Sequence, residues 1–374
     1  MSRINDLIKE LCPNGVIYKK YGDVFEIKTG KGITTKEATD DGLYPIISGG
    51  TTPMGYYHSY NRDENIVTVS RVGANAGYVN FITEKFYLND KCFSIIPKDE
   101  FVKYFIPKYI YHYTKNIENK IMELQSEGGV PTINTQKVSN LLMPMLPIDV
   151  QLEIITVLDK FGELEAELEA ELEARKSQYE FWCGQMFKHK GNSKISDLFK
   201  RVKGTPITAG KMKEIEDPDG KIRIFAGGQT AVNANLEDIP KANIIDYPCV
   251  IVQSRGLIDF VYYDKPFTFK NEMWAYTCNN QVTVKYLYYY LKNNVNHFRK
   301  IGTQMGSMPQ ISLPVTEKFE IYLPSLEEQK RIVNILDKFE KLISDISIGL
   351  PAEIELRRKQ YEYYRNKLLN FEGI

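Results

Sequence analysis

Cysteine is scarce in this chain. Its 374 residues include five, Cys12, Cys92, Cys183, Cys249 and Cys278, odd in number, scattered and never paired as CxxC. That argues against a disulfide framework and a zinc site, and it fits a reducing cytoplasm. Histidine is scarcer still. His58, His112, His189 and His297 show no HExxH or other metal spacing, so each reads as ordinary surface or core and no metal is expected. No apolar run approaches the ~20 residues that span a bilayer, and no basic-then-apolar leader opens the chain. A soluble, cytoplasmic protein with no membrane partner is expected. Net charge is absent too: 48 Lys and Arg balance 48 Asp and Glu. What is present, 43% hydrophobic and 12% aromatic residues, describes a globular chain of roughly two to three domains.

The balance of charge is only global. Residues 1–148 carry +1, 149–190 carry −5, 191–324 carry +4 and 325–374 carry 0. Acid gathers in one tract, Glu165 to Glu173, which on its own reads as a solvated helix face, and excess base lies in the larger segments. Those segments are also written twice. LDKF occurs at 158–161 and at 336–339, an offset of 178. At the same offset PTIN (131–134) lies opposite PQIS (309–312), and YPIISGG (44–50) opposite IRIFAGG (222–228). DVFEIKTGKGIT (23–34) matches DLFKRVKGTPIT (197–208), and VTVSRVG (67–73) matches VIVQSRG (250–256); Arg71 is taken as the counterpart of Arg255 by residue type, one place out of that register. Short runs that alternate apolar and polar residues between Gly, Asn and Asp turns read as strands. The stretches 104–124 and 284–301 read as helix, so each copy is an α+β lobe followed by a long helix. PMLPIDVQ (144–151) and YLPSLEEQ (322–329) punctuate lobe from helix, because a residue before proline is pushed out of the α region. The expected organisation is lobe 1–148, helix 149–190, lobe 191–324, helix 325–374.

Both helices carry an apolar seam. In the first, Leu158, Phe161, Leu164, Leu168 and Leu172 continue through Arg175, Tyr179, Trp182 and Met186 with a mean step of 3.5 residues, the coiled-coil period. In the second, Leu336, Phe339, Ile343 and Ile346 lead on through Leu350 to Leu368 with a step close to 3.6. ARKSQYEFW (174–182) then matches LRRKQYEYY (356–364) at an offset of 182, one extra helical turn in the second copy. Pro351 would cost about 3 kcal/mol in a helix interior, so a break is expected there, with Pro351 in the first turn of a restarted helix. Residues 164–175, LEAELEAELEAR, repeat a four-residue helical unit three times. Each unit adds about 6 Å of helix, close to two base pairs of B-DNA.

Two like lobes on two opposed helices imitate a dimer in one chain, with approximate two-fold symmetry. Dimeric readers of duplex DNA contact two half-sites at a separation fixed by protein geometry. Because these lobes differ in sequence, the target would be bipartite and asymmetric, and the repeated units would measure its gap. With ISDLF (195–199), LPSLEEQKRIVNILDKFEKL (323–342), ARKSQYEFW and LRRKQYEYYRNKLL (356–369) added, the chain resembles, over essentially its whole length, the specificity (S) subunit of type I restriction–modification systems. The resemblance implies two target-recognition domains separated by an antiparallel coiled coil that spaces them and docks other subunits. It further implies two adenine-methylating modification subunits and restriction subunits as partners, with S-adenosylmethionine, ATP and Mg bound on those subunits and no cofactor in this chain.

The chain's own motifs for chemistry fail. An amino-methyltransferase needs an (N/D)PP(Y/F) clamp for the flipped base; Asp217-Pro218-Asp219 lacks the second proline. Gly30-Lys31 lacks the upstream glycine of a phosphate loop, since Phe25 stands there, and reads as a turn between strands. No catalytic residue is assigned, and DFVYYDK (259–265) falls short of a nuclease. Bases are read by Arg, Lys, Asn, Gln and Ser/Thr, and turns project such side chains from a rigid sheet. The candidates are therefore Ser48, Thr51, Arg71, Asn75 and Lys91 in the first lobe, and Gln229, Thr230, Arg255 and Lys270 in the second, with the segments SEGGVPTIN (126–134) and GTQMGSMPQIS (302–312), the latter holding Gln304 and Gln310, as a second pair. Two other readings stand beside this one: a coiled-coil adaptor that binds proteins and no DNA, and a self-sufficient enzyme with an unrecognised site.

Overall fold

In the computed structural model of the chain, residues 2–39, 41–126, 129–239, 241–303, 308–345 and 348–371 are described. They divide into two compact units, Met1–Glu169 with Glu353–Ile374, and Ala170–Ala352.

The repeat in sequence is a repeat of sheet plan. In the first unit Phe25–Thr29, Cys92–Pro97, Ile66–Ser70 and Val79–Ile82 form one antiparallel sheet in that spatial order. In the second, Lys200–Lys203, Trp274–Thr277, Cys249–Gln253 and Asp259–Tyr263 do the same. Each lobe adds a three-stranded sheet with one antiparallel and one parallel pairing. Tyr44–Ile47 is flanked by Tyr56–Tyr57 and Tyr87–Leu88, and Ile222–Phe225 by Ala231–Ala234 and Phe267–Phe269. A short ribbon completes each lobe, Ile17–Lys20 with Leu142–Met145 and Ser193–Lys194 with Glu320–Ile321.

Successive side chains of a strand face opposite ways, and here both faces are covered. In Cys249–Gln253, Val250 and Val252 pack against Val284, Leu287 and Leu291, while Cys249 and Ile251 join Phe267, Phe269 and Ala275. In Ile66–Ser70, Val67 and Val69 enter the main core with Tyr109 and Ile110. The polar face of that sheet is buried as well: Thr68, Ser70 and Ser94 are covered, and Arg62 Nε donates to Ser94 Oγ at 2.9 Å. The two stretches that read as helix are each interrupted once, giving Pro107–Asn116 and Glu118–Met122, then Gln281–Asn293 and Val295–Thr303.

The central helix runs Ile148–Met186 without a break, 39 residues or about 58 Å of helix. It starts directly after Pro147. Its counterpart is Leu326–Ser344, capped by Ser325, whose hydroxyl accepts from Glu328 N at 3.3 Å. The last helix is Leu350–Leu369, with Pro351 as its second residue. Within the first unit, Phe161 stacks on Tyr364 at 5.3 Å, Arg358 reaches forward to Glu165 and Glu169, and Leu368 packs near Ile154 and Leu158. The helix pair therefore runs antiparallel. Within the second unit, Tyr179 meets Phe339 at 6.1 Å while Cys183 and Phe187 pack with Ile332, Val333 and Leu336, and the direction is again opposed.

The seam differs in detail from the sequence expectation. Leu158 and Leu336 are buried; Phe161, Leu168, Leu172, Phe339 and Ile343 are half-buried. Leu164, however, is 43% exposed, and Trp182 is 40% exposed. A step of four rather than three carries the covered face from Phe161 to Glu165, which is half-buried under Arg358, and from Tyr179 to Cys183. A helix of 3.6 residues per turn drifts against a 3.5-residue seam, and these two positions fall off the covered face. Ile346 lies outside the described residues.

Candidate nucleic-acid interface

Each lobe is fastened to its helices by duplicated polar joints. The glutamine that ends PMLPIDVQ, Gln151, is fully buried. Its Nε2 donates to Tyr104 O and Leu146 O at 2.7 Å each, and its Oε1 accepts from Ile106 N at 2.9 Å. Gln329, which ends YLPSLEEQ, is buried likewise, donating to Pro324 O at 2.8 Å and accepting from Thr283 Oγ1 at 2.7 Å. The aspartate of LDKF makes a second joint. Asp159 takes Lys108 and His112 Nε2 (3.1 Å) from one lobe helix. Asp337 takes Lys285 (2.9 Å) and the Tyr289 hydroxyl from the other. Burial lowers the pKa of His112, opposed by its bond to Asp159. Burial and the carboxylates of Asp337 and Glu340 drive that of Tyr289 far up, so its phenol stays a donor. Side chains four apart on one helix point the same way, so each lobe grips a single carboxylate with one face. A lobe whose anchor is locked in this manner presents its loops from a fixed base.

The duplicated turns meet at one edge of each lobe. In the first, Asn75 Nδ2 donates to Gly49 O at 3.2 Å, Arg71 N to Lys91 O at 2.8 Å and Gly73 N to Pro131 O at 3.0 Å. The SGGTT turn, the RVGAN turn, Lys91 and the PTIN segment are thereby drawn together. In the second, Gly228 N donates to Arg255 O (3.0 Å), Gly256 N to Pro309 O (2.8 Å) and Lys270 N to Phe225 O (2.9 Å). Gly73 and Gly256, with φ of 102° and 76°, occupy the same place in the two turns, where a side chain would be strained.

Pairing the two arginines by residue type does not hold in the structure. Arg71 and Arg255 are not counterparts. Arg71 O accepts from Ile133 N at 2.8 Å, and the corresponding carbonyl in the second lobe is that of Ser254, which accepts from Ile311 N at 2.9 Å. The bridged pairs are Val72↔Thr132 and Arg255↔Gln310. A shift of one residue turns a side chain to the other face of an extended segment. Arg71 accordingly leaves the backbone on the side that Ser254 takes in the other lobe, and it is half-buried. Its Nε is buried without a partner and its Nη1 reaches only Asp90 O at 3.4 Å; an unmade buried bond of this kind costs about 1–3 kcal/mol. Arg255 points outward and is exposed, its Nη2 3.3 Å from Gln310 Oε1.

The remaining candidates fall as follows. Thr51, Asn75, Lys91, Gln229 and Thr230 are exposed, Gln310 is half-buried, and Ser48 is buried with 8% of its surface accessible. Lys270 is half-buried and pairs with Glu272 at 2.8 Å. Gln304 lies outside the described residues. Gly30 proves to be a packing glycine: a Cβ there would stand 2.1 Å from Leu88 O, as one on Gly204 would stand 2.4 Å from Phe269 O. The sequence singled out the SEGGVPTIN segment but not Thr132 within it, did not single out Val72, and showed Gln151, Gln329, Asp159 and Asp337 only as repeat markers. Their recurrence in both copies was the available signal. Among the described residues no group of His, Cys, Asp and Glu is placed to hold a metal, and no helix is long and apolar enough to cross a membrane.

Two lobes of one plan, each carrying a loop edge and each keyed to long helices, define a tandemly duplicated module. Residues 13–174 and 188–356 each match the type I restriction modification DNA specificity domain, and the chain belongs to that family. It is 29% identical over 287 residues to the specificity subunit of the Escherichia coli type I restriction enzymes EcoR124I and EcoR124II, a match that covers 71% of this chain and 70% of that one. It is 27% identical over 335 residues to a putative type I specificity subunit of Mycoplasma pneumoniae, covering 85% of this chain and 97% of that one. Among solved structures, the S subunit of a type I restriction–modification system from M. genitalium superposes with a TM-score of 0.60 at 17% identity, over 96% of both chains. A second chain, from work on complex assembly and conformational transition of the type I R–M system, gives 0.62 at 13% identity, over 96% of this chain and 98% of that one.

Proposed function

We propose that this chain reads an asymmetric, bipartite duplex DNA sequence, one half-site per lobe, for a type I restriction–modification complex in the cytoplasm. The observation that carries the reading is the repeated loop edge: one backbone scaffold built twice, with different side chains on each copy. A shared scaffold supports a common mode of docking, and unlike side chains support unlike half-sites. The helical tract LEAELEAELEAR sets the unread gap, about 6 Å for each four-residue unit. The chain supplies the address and no chemistry. Two methyltransferase subunits and the restriction subunits dock on it, bringing S-adenosylmethionine, ATP and Mg with them. The exposed Phe181, Trp182 and Tyr363 on the long helices suit such docking, since aromatic side chains dominate protein interfaces.

The test is sequencing of methylated DNA from cells with and without the gene. Loss of one gapped, asymmetric adenine-methylation motif is expected. An unchanged set of motifs overturns the reading and favours a protein-binding adaptor; methyl transfer by the purified chain alone overturns its non-catalytic part.

A further inference from the structure

The duplicated edge contains one position where the backbone is the same in both lobes and the chemistry is opposite. Gly256 N donates to Pro309 O and Ile311 N to Ser254 O, so Arg255 and Gln310 face each other as a non-hydrogen-bonded antiparallel pair. In that geometry the two side chains leave the backbone close together on one face. The first lobe builds the same pair with the same two bonds, from Gly73 N and Ile133 N, and places Val72 opposite Thr132. A pair of long polar side chains in one copy thus replaces a pair of short, methyl-bearing ones in the other.

We infer that this bridged pair is a specificity-determining position of each lobe: Arg255 with Gln310 reads purine edges in the major groove, and Val72 with Thr132 reads a thymine methyl. The inference rests on the DNA-reading function proposed above. The arginine fork offers donors to guanine N7 and O6, and a glutamine amide matches adenine N7 and N6. One lone pair of Gln310 Oε1 takes Arg255 Nη2 at 3.3 Å. The other lone pair and both amide protons remain for a base, so Arg255 also fixes the orientation of the amide. Val72 brings methyl groups only. The Thr132 hydroxyl gives its one proton to Val130 O at 3.0 Å and keeps acceptor lone pairs only, so toward thymine, whose major-groove edge has no donor, its methyl is the contact.

The experiment uses the assembled complex in cells, read by sequencing of methylated DNA. Gln310→Ala and Arg255→Lys are each expected to relax the same single base pair in one half-site, by about 5- to 150-fold in discrimination, with the other half-site and the gap unchanged. Val72→Arg with Thr132→Gln should change one base pair of the opposite half-site from thymine toward a purine. Persistence of the other half-site shows in each case that the chain has folded and assembled. If methylation falls uniformly at an unaltered motif, or the motif is indifferent to all three changes, the pair reads no base and the inference is overturned while the DNA-reading function stands. Absence of any motif dependent on this chain removes the function itself.

Discussion

Replacing Gln151 by leucine should uncouple the first lobe from its helix, and the size of the effect follows from its three bonds. Leucine fills most of the glutamine's volume, so little packing is lost. What remains is a part-buried Ile106 N–H and two carbonyls, of Tyr104 and Leu146, that have lost their partner. An orphaned buried group costs about 1–3 kcal/mol; with the carbonyls keeping a second lone pair for other donors, the total is about 3–4 kcal/mol. For a unit of this size a kilocalorie moves the melting temperature by about 2–4 °C, so the first unit's transition should fall by roughly 6–16 °C. Gln329→Leu removes two bonds, and the Thr283 hydroxyl is free to rotate to another acceptor. Its cost should be about half, and it should fall on the other transition. Scanning calorimetry of the purified chain and both variants resolves the two. A shift under 2 °C for Gln151→Leu, or a Gln329→Leu shift equal to it, would refute the joint as described.

Three further outcomes follow. Leu336→Ala, which empties a fully buried site, should destabilise the second unit by about 2–5 kcal/mol, whereas Leu164→Ala, at a site 43% exposed, should change denaturant midpoints by no more than about 0.5 kcal/mol. Deleting one LEAE unit should shorten the gap of the methylated motif by about two base pairs and leave both half-sites as they were; an altered half-site with an unaltered gap would tell against the spacer. His112 is held below its ordinary value of 6.5 by burial, in an environment of Asp159, Lys108, Arg365 and Tyr361. The unfolded ring therefore binds the proton first. The first unit should be most stable above pH 6.5 and lose stability as the pH falls below it, until the folded ring protonates too. His112→Tyr, which installs the second copy's residue, should flatten that dependence in pH-resolved melts; an unchanged slope would show that another group carries it.

Much of the architecture was already determined by the order of residues. LDKF, the two proline punctuations and the matched glycines established the duplication, because a repeat needs no tertiary information to be recognised. The helix period of Leu158 to Met186 and the placement of Pro351 likewise follow from local rules of spacing and φ restriction. Other features belonged to the tertiary structure alone. Which of Leu164 and Glu165 is covered depends on the drift of a 39-residue helix and on where Arg358 lands, and no local pattern encodes that. Matching Arg71 to Arg255 by type set aside the register in which VTVSRVG lies on VIVQSRG, Arg71 on Ser254 and Val72 on Arg255, and the bonds from Ile133 and Ile311 follow that register. A strand's side chains reverse with every residue, so identity of type says nothing of direction when the register is off by one. Residues 131–133 and 309–311 lie more than fifty positions from the turns they bridge, and only folding brings Thr132 to Val72 and Gln310 to Arg255.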